Sequence, residues 1–294
     1  MSEARFPRQV PGIPRASEHH ELREDVVYDE VAGVPLRYDF YRPLRVDAPT
    51  PAVVVVHGGG WANGDPSQAA GYGLHFARRG IATISISYRL APLHPFPAAL
   101  DDVRRGLRFV RAEAAQFNVD PSRLVLLGMS AGAHLVMLAH VARGLPQLAP
   151  DLPVALRAVS EDVRGVIAHY GPFDLRRRLV TDGPDAIAGF LGPRHAEPEW
   201  AALASPVLHA THATAPTLLI HGTGDQVVSH RESQRMAEAL RAAGREVELL
   251  VLDGAPHAFQ IDWRGDYNRH SNAAIDSFLG QRFDLHRHAQ AAAS

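Results

Sequence analysis

The chain of 294 residues is 46% hydrophobic with a formal net charge of −2, enough apolar material for a sizeable core and no basic field of the kind that gathers nucleic acid or anionic membrane. All 30 basic residues are Arg, and the absence of Lys excludes Schiff-base catalysis, pyridoxal phosphate attachment and the P-loop, each of which requires a lysine amine. Cys is absent too, which excludes disulfides, cysteine catalysis and thiolate metal sites and fits a reducing compartment.

Residues 1 to 24 are rich in Pro and Arg without periodicity and read as an irregular arm. The N-terminus lacks the apolar core of a signal peptide, and no run of about 18 apolar residues is available to span a bilayer, so a cytoplasmic location is expected. Among the 17 histidines, His19-His20 and His286-x-His288 lie in polar ends with no carboxylate at ligand spacing, so no metal site is expected there. Val26 to Val31, the turn Ala32-Gly33 and Val34 to Tyr41 alternate and predict a hairpin that opens a sheet.

Pro51 to Val56 is a β-branched apolar run, expected as a buried strand, and it ends in His57-Gly58-Gly59-Gly60-Trp61. Without Cβ atoms, consecutive N–H groups are able to point at one spot. The N–H groups of Gly59 and Gly60, with that of Ala131, are the candidates for holding the oxygen of a tetrahedral intermediate, and Trp61 is a candidate pocket wall. A helix through Leu74 to Arg79, a strand Ile81 to Tyr88 and a helix from Pro97 to about Phe117 follow. The apolar run Arg123 to Leu127 then leads into Gly128-Met129-Ser130-Ala131-Gly132, a G-x-S-x-G pentapeptide, with the amphipathic stretch Ala133 to Arg143 directly after it. Strand, sharp turn and helix is the context in which that motif pushes a serine Oγ clear of the chain towards a base.

Val163 to Tyr170 predicts the next strand, and the alternation predicts an α/β fold with a mostly parallel, doubly wound sheet and helices on both faces, one domain from 25 to 294. Pro172 to Leu208 breaks the rhythm with Pro184, Pro193, Pro198, Gly183, Gly189 and Gly192, so a small cap insertion is expected at about 172–208. Its large apolar side chains, Phe190 and Trp200 foremost, are candidates for an acyl or alcohol pocket, or serve only to dock the cap on the core. Pro216 to Asp225 and Val247 to His257 each place a polar residue just past an apolar strand, the edge where open parallel sheets put their sites. The candidates are therefore Ser130 as nucleophile, Asp225 as acid and His257 as base. Asp253, Asp262 and Asp266 are weaker candidates for the acid; His57 and His221 are expected to satisfy backbone groups, and His134 to pack one turn after Ser130. Arg89 and Asp102 are expected to be structural partners near the site.

These motifs resemble the α/β-hydrolases of the H-G-G-G-W esterase group, which includes hormone-sensitive-lipase-like esterases, feruloyl/acetyl-esterase-like hydrolases and kynurenine formamidases. Tyr88-Arg89-Leu90-Ala91-Pro92, His94 to Val103 and Ala204-Ser205-Pro206 also match, so the resemblance covers roughly Val26 to Leu279. Where the lipase-like branch has Asp before the nucleophile and Gly-Asn-Leu after the elbow, this chain has Met129 and Ala133-His134-Leu135, which leans towards the feruloyl/acetyl-esterase and formamidase side. The resemblance implies a hydrolase of small carboxylic esters working through an acyl-enzyme, without cofactor or metal, without nucleic-acid or membrane partner, as a monomer or homodimer. Short acyl groups are expected, because nothing in the chain reads as an amphipathic helix that seats a lipase on a lipid surface. Hydrolysis of an aryl formamide, and ligand binding without turnover, stay open as alternatives.

Overall fold

Thr50–Val56 is buried at every position, the mark of a strand covered on both faces, where alternation disappears because neither side meets water. The computed structural model describes residues 20–44, 46, 48–177 and 186–285. In chain order they form β1 (His20–Val31), β2 (Val34–Pro43), β3 (Thr50–Val56), α1 (Ala70–Ala77), β4 (Ala82–Ile86), α2 (Ala98–Ala112), β5 (Val119–Met129) and α3 (Ala131–Val141). They continue with α4 (Val154–Arg157), β6 (Gly165–His169), α5 (Ala186–Leu191), α6 (Pro198–Leu203), β7 (Thr217–Gly222), α7 (Arg231–Ala242), β8 (Val247–Leu252) and α8 (Asp266–Arg282).

The strands make one eight-stranded sheet in the order β1-β2-β4-β3-β5-β6-β7-β8. β1 and β2 pair antiparallel, as do β2 and β4; every pairing from β4 through β3 to β8 is parallel. Successive residues of β3 serve opposite faces, as strand geometry requires. Val54 and Val56 join the cluster under α2, α3 and α7, whereas Val53 and Val55 join the cluster under α1 and α8. This is the α/β-hydrolase arrangement, with helices on both faces of a mostly parallel sheet.

Several boundaries differ from the sequence reading, among them α1, which begins at Ala70 and not Leu74, and β4, which ends at Ile86 and not Tyr88. β1 starts at His20, so residues 20 to 24 belong to the sheet and not to an irregular arm; residues 1 to 19 lie outside the described ones. His20 pairs with Pro43 and Leu22 with Tyr41, and the polar, charged character of Glu21, Arg23 and Glu24 is that of a strand at an open edge, where charge discourages pairing with another chain. The helix expected to reach Phe117 stops at Ala112, and the chain turns through Asn118, whose φ is 49°, into a β5 that begins at Val119.

The buried histidines include His57 after β3, His134 and His140 on α3, and His169 at the end of β6. Burial disfavours the imidazolium and lowers His57, His134 and His140 to about 4 and His169 to about 3. In the unfolded chain each takes up its proton near 6.5. The folded state binds fewer protons between those values, so this contribution to stability is fully present above about pH 6.5 and is lost as pH falls towards about 4. The expected outcome is a urea midpoint that drops steadily from pH 7.5 to pH 5; a midpoint that is flat or rises over that interval contradicts it.

Candidate active site

Gly128-Met129-Ser130-Ala131-Gly132 is a sharp turn between β5 and α3. Ser130 sits at φ 54° and ψ −118°, a region L-residues avoid at a cost of order 1–3 kcal/mol. The flanking glycines are required by close backbone approach. A Cβ on Gly128 would lie 2.2 Å from the Gly132 carbonyl oxygen, and one on Gly132 would lie 2.2 Å from that of Val56. The Ser130 N–H donates to the His169 carbonyl (2.9 Å), which ties the turn to the end of β6.

His257, beyond β8, and Asp225, beyond β7, come to this serine from the same edge of the sheet. His257 Nε2 is 3.1 Å from Ser130 Oγ, and His257 Nδ1 is 2.7 Å from Asp225 Oδ2. A serine hydroxyl against an imidazole whose far nitrogen is held by a carboxylate is an arrangement able to remove the hydroxyl proton during attack on a carbonyl. Asp225 is almost fully enclosed. Burial on its own raises a carboxyl, but hydrogen bonds from His221 and His257 and from the Val228 N–H outweigh it and hold Asp225 well below the ordinary carboxylate range. The weaker acid candidates sit elsewhere in the hydrogen-bond pattern: Asp253 accepts from the Thr223 hydroxyl, Asp262 from the Arg264 N–H and Asp266 from Arg269.

The Gly-rich loop after β3 lies directly on the serine turn, since a Cβ on Gly58 would stand 3.0 Å from the Met129 carbonyl oxygen and 3.3 Å from Ser130 Cβ. Gly59, at φ 116°, receives the Ala62 and Asn63 N–H groups on its carbonyl and has no room for a side chain. Gly60 follows at φ 59°. Ala131 opens α3, and the first-turn N–H groups of a helix have no partner within the helix. The three candidate donors thus come from two segments in contact at Ser130.

The candidate pocket residues make the contacts of the docking alternative. Trp61, at φ 60°, is buried and stacks on Phe190 with ring centroids 4.6 Å apart. Phe190 is 1% exposed, and Phe96 joins it to Trp200, over which the Arg194 guanidinium lies at 3.8 Å. Phe190 and Trp200 therefore dock the segment between β6 and β7 onto the loop rather than forming an open wall, and Trp61 is the surface they dock on. Residues 178–185 of that segment, with Gly183 and Pro184 among them, lie outside the described ones.

His134 occupies the centre of this junction. Its Nδ1 accepts the Trp61 indole N–H (3.2 Å), so its Nε2 carries the proton and donates to the Ala204 carbonyl (2.8 Å). Burial keeps it neutral, at about 4, so it links the Gly-rich loop, α3 and the segment between β6 and β7. Arg89 grips the buried Asp102 through both its Nε and a terminal nitrogen and also bonds the Ala98 carbonyl, which fixes the loop after β4 as expected. Two neighbours were not anticipated. Tyr170, at φ 40°, places its ring 4.6 Å from that of His257 and donates its hydroxyl to Gln260, and His221 bonds Asp225 itself. The i, i+4 spacing of His221 and Asp225 was the available signal for the second; Tyr170 left none. Among the described residues no cluster of His, Cys, Asp and Glu is arranged to hold a metal ion, and no helix is long and apolar enough to cross a membrane.

Residues 38–240 match the family model BD-FAE. The chain belongs to the BD-FAE family. It is 32% identical to esterase LipC of Mycobacterium tuberculosis over 87% of this chain and 64% of the relative, and 31% identical to esterase LipQ of the same organism over 92% and 65%. The chain thus spans a little under two thirds of the length of these curated relatives. Among solved structures, apo Thermogutta terrifontis esterase 2 superposes with a TM-score of 0.74 at 28% identity, covering 90% of this chain and 95% of that one. A truncated carbohydrate esterase from gut microbiota, at 24% identity and a TM-score of 0.76 over 90% and 97%, shares the fold.

The junction at His134 is open to test. In His134→Phe the ring contacts persist while the Trp61 N–H and the Ala204 carbonyl lose their partner, a loss of about 1–3 kcal/mol for each buried group. The expected drop in unfolding free energy is about 2–6 kcal/mol in urea; a change below about 0.5 kcal/mol means that neither bond matters to the fold.

Proposed function

We propose that the chain is a serine hydrolase of small carboxylic esters. The observation that carries this reading is the unbroken line from Ser130 Oγ through His257 to Asp225, at 3.1 and 2.7 Å. Membership of a family whose relatives are named esterases supports it. In this mechanism Ser130 Oγ attacks the ester carbonyl while His257 Nε2 takes its proton. The N–H groups of Gly59, Gly60 and Ala131 hold the developing oxyanion. His257 then delivers the proton to the leaving alkoxide, which departs as the alcohol and leaves an acyl-Ser130. Water, deprotonated by His257, attacks the acyl group to release the carboxylic acid. Asp225 holds the imidazole with Nδ1–H towards the carboxylate and stabilises the imidazolium formed in each half. A module that only binds ligand has no need of a base and acid at hydrogen-bond distance from the serine.

Short acyl groups are the proposed substrates, and the segment between β6 and β7 is the proposed cap. Thermogutta terrifontis esterase 2 is known with propionate bound and also phosphorylated by paraoxon. The same serine chemistry extends to an aryl formamide, so the substrate panel includes one.

Ser130→Ala is expected to lower kcat on a soluble butyrate ester by about 10⁴-fold or more, and Asp225→Asn by about 10⁴-fold through the wrong imidazole tautomer. Paraoxon should add one diethylphosphoryl group, mapped by mass spectrometry to Ser130 and absent from Ser130→Ala. A folded Ser130→Ala that retains about a tenth of the activity removes the nucleophile assignment. On the panel, acyl esters of about two to six carbons should exceed emulsified long-chain triglyceride, since no segment of the sequence reads as an amphipathic helix for a lipid surface. N-formylkynurenine turned over orders of magnitude faster than every ester would transfer the reading to amide hydrolysis by the same residues.

A further inference from the structure

Asp225 has four hydrogen-bonding neighbours, and only one of them is His257. Its Oδ1 accepts the Val227 and Val228 N–H groups, both at 2.8 Å. Its Oδ2 accepts from His257 Nδ1 at 2.7 Å and lies 3.2 Å from His221 Nε2. The same His221 nitrogen is 3.0 Å from the Val228 carbonyl oxygen. A nitrogen that faces two oxygen acceptors carries its proton, so His221 presents a shared N–H to the carboxylate and to the loop that wraps it. On the other side of the ring, Nδ1 is 2.8 Å from the hydroxyl of Ser233 in the first turn of α7, which donates to it and keeps the ring proton on Nε2. His221 is completely buried, as is Ser233, and the Asp225 side chain is 1% exposed, so bulk water has no access to replace any of these bonds.

We propose that His221 is a positioning residue for the reaction, holding Asp225 Oδ2 in line with His257 Nδ1 and sharing that oxygen's charge with it. This rests on the reading of Ser130, His257 and Asp225 as the reacting line. The two bonds to Oδ2 are unequal. The shorter one goes to His257 and commits most of the charge there, and the longer, bifurcated one fixes the direction of the oxygen without competing strongly for it. Without His221 the second lone pair of a buried carboxylate oxygen has no donor, and the carboxylate is free to turn about its own axis away from the imidazole. A side chain that only filled the space would leave both effects unchanged.

Removal of the His221 donor has a signed consequence. The charge it shared returns to the bond with His257, which favours the imidazolium, so a higher pH is needed to free the base. The titratable groups facing His221 are Asp225 and, across the sheet edge, His257, together with His169 and Tyr170 from the end of β6. Of these only His257 must lose a proton for the reaction to begin.

The experiment compares His221→Leu, His221→Asn and His221→Gln in the full chain, on a soluble 4-nitrophenyl butyrate, with kcat, KM and the pH profile of kcat/KM. Leu removes the donor, the shorter Asn amide stops short of Asp225, and the Gln amide reaches the position of Nε2. The Leu and Asn variants should lose roughly 10–100-fold in kcat with KM within about twofold of wild type, and their acid limb should move to higher pH. The Gln variant should recover most of kcat and return the limb. Should Leu fail to fold, Asn against Gln decides. Two outcomes overturn the proposal: a donorless variant with wild-type kcat and an unmoved limb, or Gln as impaired as Asn with neither limb moved, the signature of a merely structural residue. Ser130→Ala separates the two levels: if it stays active the reacting line is wrong, whereas an inactive Ser130→Ala beside unaffected His221 variants removes only the role of His221.

Discussion

The positive φ of Ser130 is the constraint on which the rest of the site depends. Its cost, of order 1–3 kcal/mol, persists because the surrounding backbone leaves no alternative path. Gly128 faces Gly132 across the turn, and Gly132 faces the carbonyl oxygens of Val56 and His57, all closer than a methyl group allows. The first turn of α3 is thus seated on the end of β3, where the Gly-rich loop begins. One strained residue therefore brings together three strands: β5 carries it, β3 delivers the loop beside it, and β6 receives its N–H. Trp61, Tyr170 and Ala258 also have positive φ and also border this point, while Asp25, Ala32, Asn118 and Asp284 adopt that backbone elsewhere in the fold.

The histidines divide by environment. His57, His134, His140 and His169 are sealed from water and held neutral; His134 and His140 bond segments distant in sequence, His140 accepting the Thr214 and Ala215 N–H groups, whereas His57 bonds the adjacent Gly58 carbonyl. His257 alone combines partial exposure with a bond to Ser130 Oγ. What separates it from the others is not residue type but a carboxylate with every lone-pair direction occupied on one side and a strained hydroxyl on the other. A carboxylate stabilised by four donors costs little to keep charged in a buried place, and a charged Asp225 is what gives the His257 imidazolium a partner.

The strands and the residues the structure brings together as a candidate site were legible in the sequence because one physical signal controls both. The parallel strands are predominantly apolar, and the polar residues His57, Ser130, Asp225 and His257 fall just beyond their C-terminal ends. The edge strand was legible only in part, since from His20 to Glu24 it is polar on purpose and its partner is ten or more residues away. The direct bond of His221 to Asp225 was not recovered, because a histidine inside a strand run reads as one that satisfies backbone; it does bond the Val228 carbonyl, and the carboxylate contact is additional. Phe190 and Trp200 left two readings open in the sequence, pocket wall or docking surface, for a different reason. Large aromatic residues in a segment rich in Pro and Gly are apolar whether they face a ligand or a neighbouring ring, and sequence records the apolarity but not the direction.

The docking contacts of Phe190 and Trp200 couple the segment between β6 and β7 to the Gly-rich loop. The ladder from Trp200 through Phe96 and Phe190 to Trp61 ends on the residue that directly follows Gly60, and His134 ties the same Trp61 to Ala204 across α3. The segment between β6 and β7 therefore packs against the loop whose N–H groups are proposed to hold the oxyanion beside Ser130. A change in that segment reaches the reacting centre first through the position of the loop, and only afterwards through the shape of any pocket. Since hydrogen-bond donors aimed at developing charge lose much of their effect when displaced by a fraction of an ångström, packing in this ladder and geometry at the serine are one physical problem.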